Sequence, residues 1–133
     1  MTKLQSYKNK EYDKALKETF MLIDDLLETR EGKDKLKTYC KSKTRDGIEN
    51  IGHYAGATSC VGLMVDGQLI VANAGDSRCV LSVSGTAVEM SMDHKPDLPI
   101  EKSRIEQAGM FVEEQRVNGV LNLSRSLGDL EYK

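Results

Sequence analysis

At Thr58 the spacing of the apolar residues changes. Before it, Tyr12, Ala15, Leu16, Phe20, Ile23, Leu26 and Leu27 follow one another mostly in steps of three and four, which draws one face of an amphipathic helix. After it, "TSCVGLMV" and "QLIVANA" flank Asp66-Gly67, and "SRCVLSV" and "TAVEMS" flank Ser84-Gly85. Gly accepts the positive φ of a type I′ turn, so each flanked pair reads as a hairpin. Residues 58–91 are therefore expected to form an antiparallel meander. A helical region followed by grouped strands favours α+β with antiparallel sheet over a parallel α/β fold.

The rest of the chain fits around that core. Gly32 is expected to end or kink the first helix, and "KDKLKTYCKSK" supplies a shorter second one, giving a helical region over 11–43. "RDGIENIGHYAG" reads as a polar connector that carries His53. Pro96 and Pro99 exclude a central strand, and Pro99 suits a first helical position. In "PIEKSRIEQAG" the residues Ile100, Ile105 and Ala108 are expected on one side, with Gly109 as the C-terminal cap. Asn118-Gly119 is a third hairpin signal, joining "MFVEEQRV" to "VLNLSRS".

Composition narrows the function classes. The chain has 133 residues, 39% apolar and 30% charged, a size and balance suited to one folded domain. Its net charge of −2 argues for neither nucleic acid nor an anionic membrane as a partner. Basic residues crowd between Lys33 and Arg45, a run that would greet an acidic partner but reads first as a solvated helix face. Three cysteines make no disulfide framework, and Cys40, His53 and Cys60 match no common zinc spacing. There is no apolar run of membrane-spanning length, and the polar start does not resemble a signal peptide. An intracellular setting, cytoplasmic or nuclear, is expected.

"NAGDSR" (73–78) sits between two strand-like runs and holds more chemistry than a turn needs. Asp76 reads two ways: as an Asx-type turn bonded to backbone N–H groups two residues on, or as a carboxylate that holds something. Ser77 is expected to serve the turn and Arg78 to pair with a carboxylate or carbonyl. His94 is a candidate for acid–base work but reads first as a local hydrogen-bonding residue. "SRSLGD" offers Ser124, Arg125, Ser126 and Asp129; no histidine is implied beside them, and Arg125 and Asp129 read as ion-pair or turn elements.

"GATSC" (56–60), "VANAGDSR" (71–78), "DHKPDLPIEKSRIEQAG" (93–109), "RVNGVLNLSRSLGD" (116–129) and the closing "YK" together resemble the type 2C family of metal-dependent protein serine/threonine phosphatases. The resemblance covers 56–133 well and the 11–43 helix more loosely. It implies an α+β fold, an antiparallel β-sandwich with flanking helices, here incomplete. Within a single partial domain of 1–133 it implies a meander over 56–91, a flap-like region over 93–120, and a strand and tail over 120–133.

The implied activity is hydrolysis of phosphoserine and phosphothreonine with two bridged Mg²⁺ or Mn²⁺ ions. Such ions take oxygen ligands and activate a water between them. The resemblance makes Asp76 the one matching metal ligand, at a third and weaker ion position. The family's N-terminal acidic residue, its Asp-Gly-His-Gly box and its C-terminal Asp motifs are not matched; Asp46-Gly47 and Asp66-Gly67 lack the following His-Gly.

Two readings follow. One is a central segment of a phosphatase, inactive alone and acting within a longer protein on phosphoprotein substrates. The other is a pseudophosphatase that binds a regulatory partner without hydrolysis. An unrelated α+β binding module would require every matching segment to be accidental. Met110 and Asn122 depart from the family pattern, and Asn122 in a buried strand would need a hydrogen-bond partner. Missing neighbours would leave sheet edges open, so a homodimer or strand exchange through those edges, or poor stability, is expected.

Overall fold

The computed structural model of the protein describes residues 1–39 and 55–133. Four α-helices occur among them: α1 (Gln5–Lys8), α2 (Tyr12–Glu28), α3 (Arg30–Tyr39) and α4 (Pro99–Gln107). The strands are β1 (Gly56–Ala57), β2 (Ser59–Val65), β3 (Gln68–Ala74), β4 (Val80–Val83), β5 (Thr86–Glu89), β6 (Val112–Glu113), β7 (Arg116–Val117) and β8 (Leu127–Gly128). Among the described residues all pairing is antiparallel, in ladders β1–β8, β2–β3, β4–β5 and β6–β7. The class is α+β. Two compact units emerge, Met1–Ala57 with Leu127–Lys133, and Thr58–Ser126.

In the first unit, α2 follows the apolar period and buries Ala15 and Leu16. Leu26 on the same face stays half exposed, as do Met21 and Leu22 beside it. Ser6 on α1 donates to the Glu18 carboxylate at 2.5 Å, tying α1 to α2. The helix ends at Thr29, three residues before the expected glycine. Gly32 instead lies in the first turn of α3, where an added Cβ would stand 1.9 Å from the Leu26 carbonyl oxygen. The glycine thus permits close approach rather than stopping the helix. At the other end of the unit, the Gly128 N–H in β8 donates to Asp24 of α2 at 2.8 Å. The expectations for Cys40, the 40–43 end of the helical region, Asp46-Gly47 and the connector with His53 lie outside the described residues.

In the second unit, the first two turn signals are realised. Val65 faces Gln68 across Asp66-Gly67 (φ 49° and 73°), and Val83 faces Thr86 across Ser84-Gly85 (φ 51° and 84°). The expected four-stranded meander is instead two separate hairpins, because β3 and β4 do not pair. The break falls at Gly75–Cys79, where the chain turns through the "GDSR" loop. The third signal is also a real turn, with Asn118 and Gly119 at φ 50° and 70°, but it leads to a single bridge, Val117 to Leu121. The hairpin nearby turns at Glu114-Gln115, both at positive φ. Asn122 is exposed rather than inside a strand.

Helix α4 starts with Pro99 and is followed by Gly109 at φ 83°. Its inward face differs from the expectation. Ile105 is buried, Ile100 is 72% exposed, and Glu101 takes a buried place at 3% exposure. Glu101 and Ile105 lie one turn apart, so the helix puts a carboxylate and an alkyl group on one face.

Candidate functional site

The "NAGDSR" loop is fixed by the segment 92–95, partner by partner. Asn73 Nδ2 donates to the Met92 carbonyl at 2.8 Å and to the Gly75 carbonyl at 3.0 Å. Gly75 is gripped from both sides: its N–H donates to His94 Nδ1 at 3.2 Å, and its carbonyl accepts from the His94 N–H at 3.0 Å. The Asp76 carboxylate pairs with the Lys95 ammonium. Arg78 makes a bidentate pair with Asp93 at 2.9 and 3.0 Å and reaches Glu89 at 2.9 Å. The two hydroxyls of Ser77 and Thr58 meet at 2.7 Å.

Gly75 is obligatory here. Its φ is +110°, and a Cβ would stand 2.5 Å from Thr58 Cγ2. A side chain at this point would meet both a strained backbone and a packed neighbour. The residue before Asp76 therefore sets the direction of the loop.

A second cluster lies in the same unit. Glu101 accepts from Arg125 Nε and Nη2, the shortest contact at 2.8 Å, and from Arg104 Nη2 at 3.1 Å. Arg104 also donates to the Ser124 carbonyl. Burial alone would raise the Glu101 carboxyl, but the guanidinium groups more than offset it and hold it at about 2. His94 is pushed below its ordinary value by burial first and by the Arg125 charge second. A neutral imidazole is what the Gly75 bond requires, since Nδ1 must accept there.

Set against the expectations, Ser77 serves the loop through a hydroxyl pair, and Arg78 and Arg125 are ion-paired. His94 is a hydrogen-bonding residue of the loop. The side-chain bond across two residues is made by Asn73, while the Asp76 carboxylate goes to Lys95. Asp129 is a buried left-handed residue (φ 48°) that opens the closing turn, Leu130–Tyr132. Lys95 and Glu101 escaped the sequence reading. The available signal for Lys95 was the run Asp93-His94-Lys95, whose charges mirror those of Asp76 and Arg78; Glu101 carried none.

Among the described residues, no three His, Cys, Asp or Glu side chains gather where they could hold a metal ion. One carboxylate already paired with an ammonium does not fit a divalent cation by itself.

The family model for "Protein phosphatase 2C" matches residues 1–133. The chain belongs to the protein phosphatase 2C family. "Protein phosphatase 2C 1" of Paramecium tetraurelia is 53% identical over 133 residues, all of this chain and 42% of that protein. "Probable protein phosphatase 2C 21" of Arabidopsis thaliana is 36% identical, covering 97% of this chain and 44% of the relative. The chain thus spans less than half the length of these 2C relatives. A phosphatase crystal structure from a pathogenic strain of Toxoplasma gondii is 49% identical over 46% of this chain and 20% of its own, with a TM-score of 0.44. No helix among the described residues is long and apolar enough to cross a membrane.

Proposed function

We propose that this chain is the central segment of a metal-dependent protein serine/threonine phosphatase, one partial domain whose longer protein hydrolyses phosphoserine and phosphothreonine in phosphoprotein substrates. The observation that carries the reading is the family match over residues 1–133, which includes the "GDSR" loop. In this reading Asp76 is a ligand for one Mg²⁺ or Mn²⁺ ion, with the other ligands supplied from outside the described residues. What the chain itself contributes is rigidity: β3 and the 92–95 segment hold the carboxylate at a fixed point. An intracellular setting, cytoplasmic or nuclear, belongs to the same proposal.

The test is a chimera in which this chain replaces the matching 42% of the Paramecium tetraurelia protein. Mn²⁺-dependent hydrolysis of a phosphothreonine peptide by the chimera is the expected result. A folded chimera without hydrolysis would contradict it and favour the pseudophosphatase reading, in which the segment binds a regulatory protein instead.

A further inference from the structure

We infer that Glu101 is a positioning residue for the "GDSR" loop, fixing through Arg104, Arg125 and Ser124 the His94 that grips Gly75. This role goes beyond the reading of Asp76 as a ligand and stands whatever that carboxylate binds.

The contacts run in sequence from helix to loop. His94 grips Gly75 through both its ring and its backbone N–H. The His94 carbonyl in turn accepts from the Ser124 N–H at 3.3 Å. Ser124 is bracketed. Its carbonyl accepts from Arg104 Nη2, and its neighbour Arg125 is bound to Glu101 through two nitrogens. Arg104 also donates to Glu101 at 3.1 Å. One carboxylate on α4 thus orders both guanidinium groups at Ser124–Arg125, and Ser124 holds His94.

The ties within the loop region cannot do the same work. Asn73 to Met92 and Arg78 to Asp93 join the loop to the 92–95 segment, and they would travel with the pair if it moved. The Ser124 bond anchors that pair from outside. On the other side, the Leu98 N–H donates to the Lys95 carbonyl at 3.2 Å, Pro96 is fully buried and Pro99 opens α4. The two prolines fix φ in the stretch between His94 and Glu101, so the segment meets the Glu101 cluster by the helix as well as by Ser124.

The residue type fits a directing role. Ile105, one turn further on, shows that this face of α4 accepts an alkyl group. An alkyl chain at position 101 would fill space, whereas a carboxylate sets the planes of two guanidinium forks.

His94 itself reports the result. A neutral imidazole carries one N–H, and because Nδ1 accepts from Gly75 the proton belongs on Nε2. A loosened His94 would lose that bond and populate both tautomers.

The test uses the full chain at neutral pH, with folding checked by circular dichroism. The nitrogen NMR shifts of the His94 ring and the exchange of the Gly75 amide with heavy water are measured. The wild type is expected in the Nε2–H form. Glu101→Gln and Arg104→Met are each expected to draw the two ring shifts together and to quicken Gly75 exchange at least about fivefold, the effect of one weakened hydrogen bond. The two variants remove opposite charges. Ring changes of the same sense follow from lost positioning; changes of opposite sense would show an effect of charge alone and overturn the inference. Gly67→Ala strains a turn at φ 73° with open space around it, and is expected to lower stability while leaving the His94 ring as in the wild type. A ring change in Gly67→Ala as large as in Glu101→Gln would overturn the inference in favour of general loosening. A folded Arg104→Met with wild-type ring shifts and wild-type Gly75 exchange would overturn it as well, whether or not Glu101→Gln folds.

Discussion

Replacing Glu101 by Gln removes one charge from a buried position while keeping its shape. In the folded chain the carboxyl sits at about 2, against an ordinary 4.5. The difference corresponds to about 3 kcal/mol of stability at neutral pH. Arg125 and Arg104 are 45% and 49% exposed, so water screens part of this; a loss of about 2–3 kcal/mol in Glu101→Gln is the working figure. The sign follows from the depressed value. The contribution is fully present above pH 4.5 and fades as the pH falls toward about 2. At pH 3 the gap between wild type and variant should be roughly half its value at pH 7. Urea unfolding followed by circular dichroism at both pH values measures it. A gap that stays constant between them, or one below about 0.5 kcal/mol at pH 7, would refute the claim that the two arginines hold a buried charge in place.

Three other outcomes are expected. Gly75→Ala should destabilise the chain by about 2 kcal/mol or more, measured by the same unfolding, because both the positive φ and the Thr58 contact oppose a Cβ. His94 is neutral in the fold and pushed below its ordinary 6.5. Its share of stability is therefore present above pH 6.5 and is lost as the pH falls through the lowered value; His94→Phe should flatten that part of the stability curve. Sedimentation at rising concentration should reveal self-association. Among the described residues every ladder is two-stranded, and β4–β5 exposes Val80, Leu81, Val83 and Val88; a monomer at every concentration would contradict this.

How much of this was legible in the sequence depends on the kind of signal. Asp66-Gly67 and Ser84-Gly85 were readable because positive φ is a local demand that a dipeptide satisfies alone. The start and apolar face of α2 were readable from period, whereas its stop was not. Thr29 ends the helix, and Gly32 is there because α3 passes close to the Leu26 carbonyl, a contact that no local rule contains. The separate hairpins were missed for a related reason: strand order suggests a meander, but the loop at Gly75–Cys79 is bonded to residues 91–94 and not shaped as a hairpin turn.

The site shows the same division. Asp76 stood out through its motif, and the pairing of Arg78 with a carboxylate was anticipated in kind. Its partner Asp93 is fifteen residues away, and the partner of Asp76, Lys95, is nineteen away. Glu101 was hidden more deeply. Between Ile100 and Ile105 an amphipathic reading sends the acid outward, and only the arginines at 104 and 125 make an inward carboxylate tolerable.

The central claim is that Asp76 serves phosphoester hydrolysis once the chain stands within a complete phosphatase. Its most direct test is the turnover of a phosphothreonine peptide by the chimera across a Mn²⁺ series, with and without Asp76→Asn. A fall of at least about tenfold in the variant, partly recovered as Mn²⁺ rises, is the predicted result. Equal turnover at every Mn²⁺ concentration would contradict it.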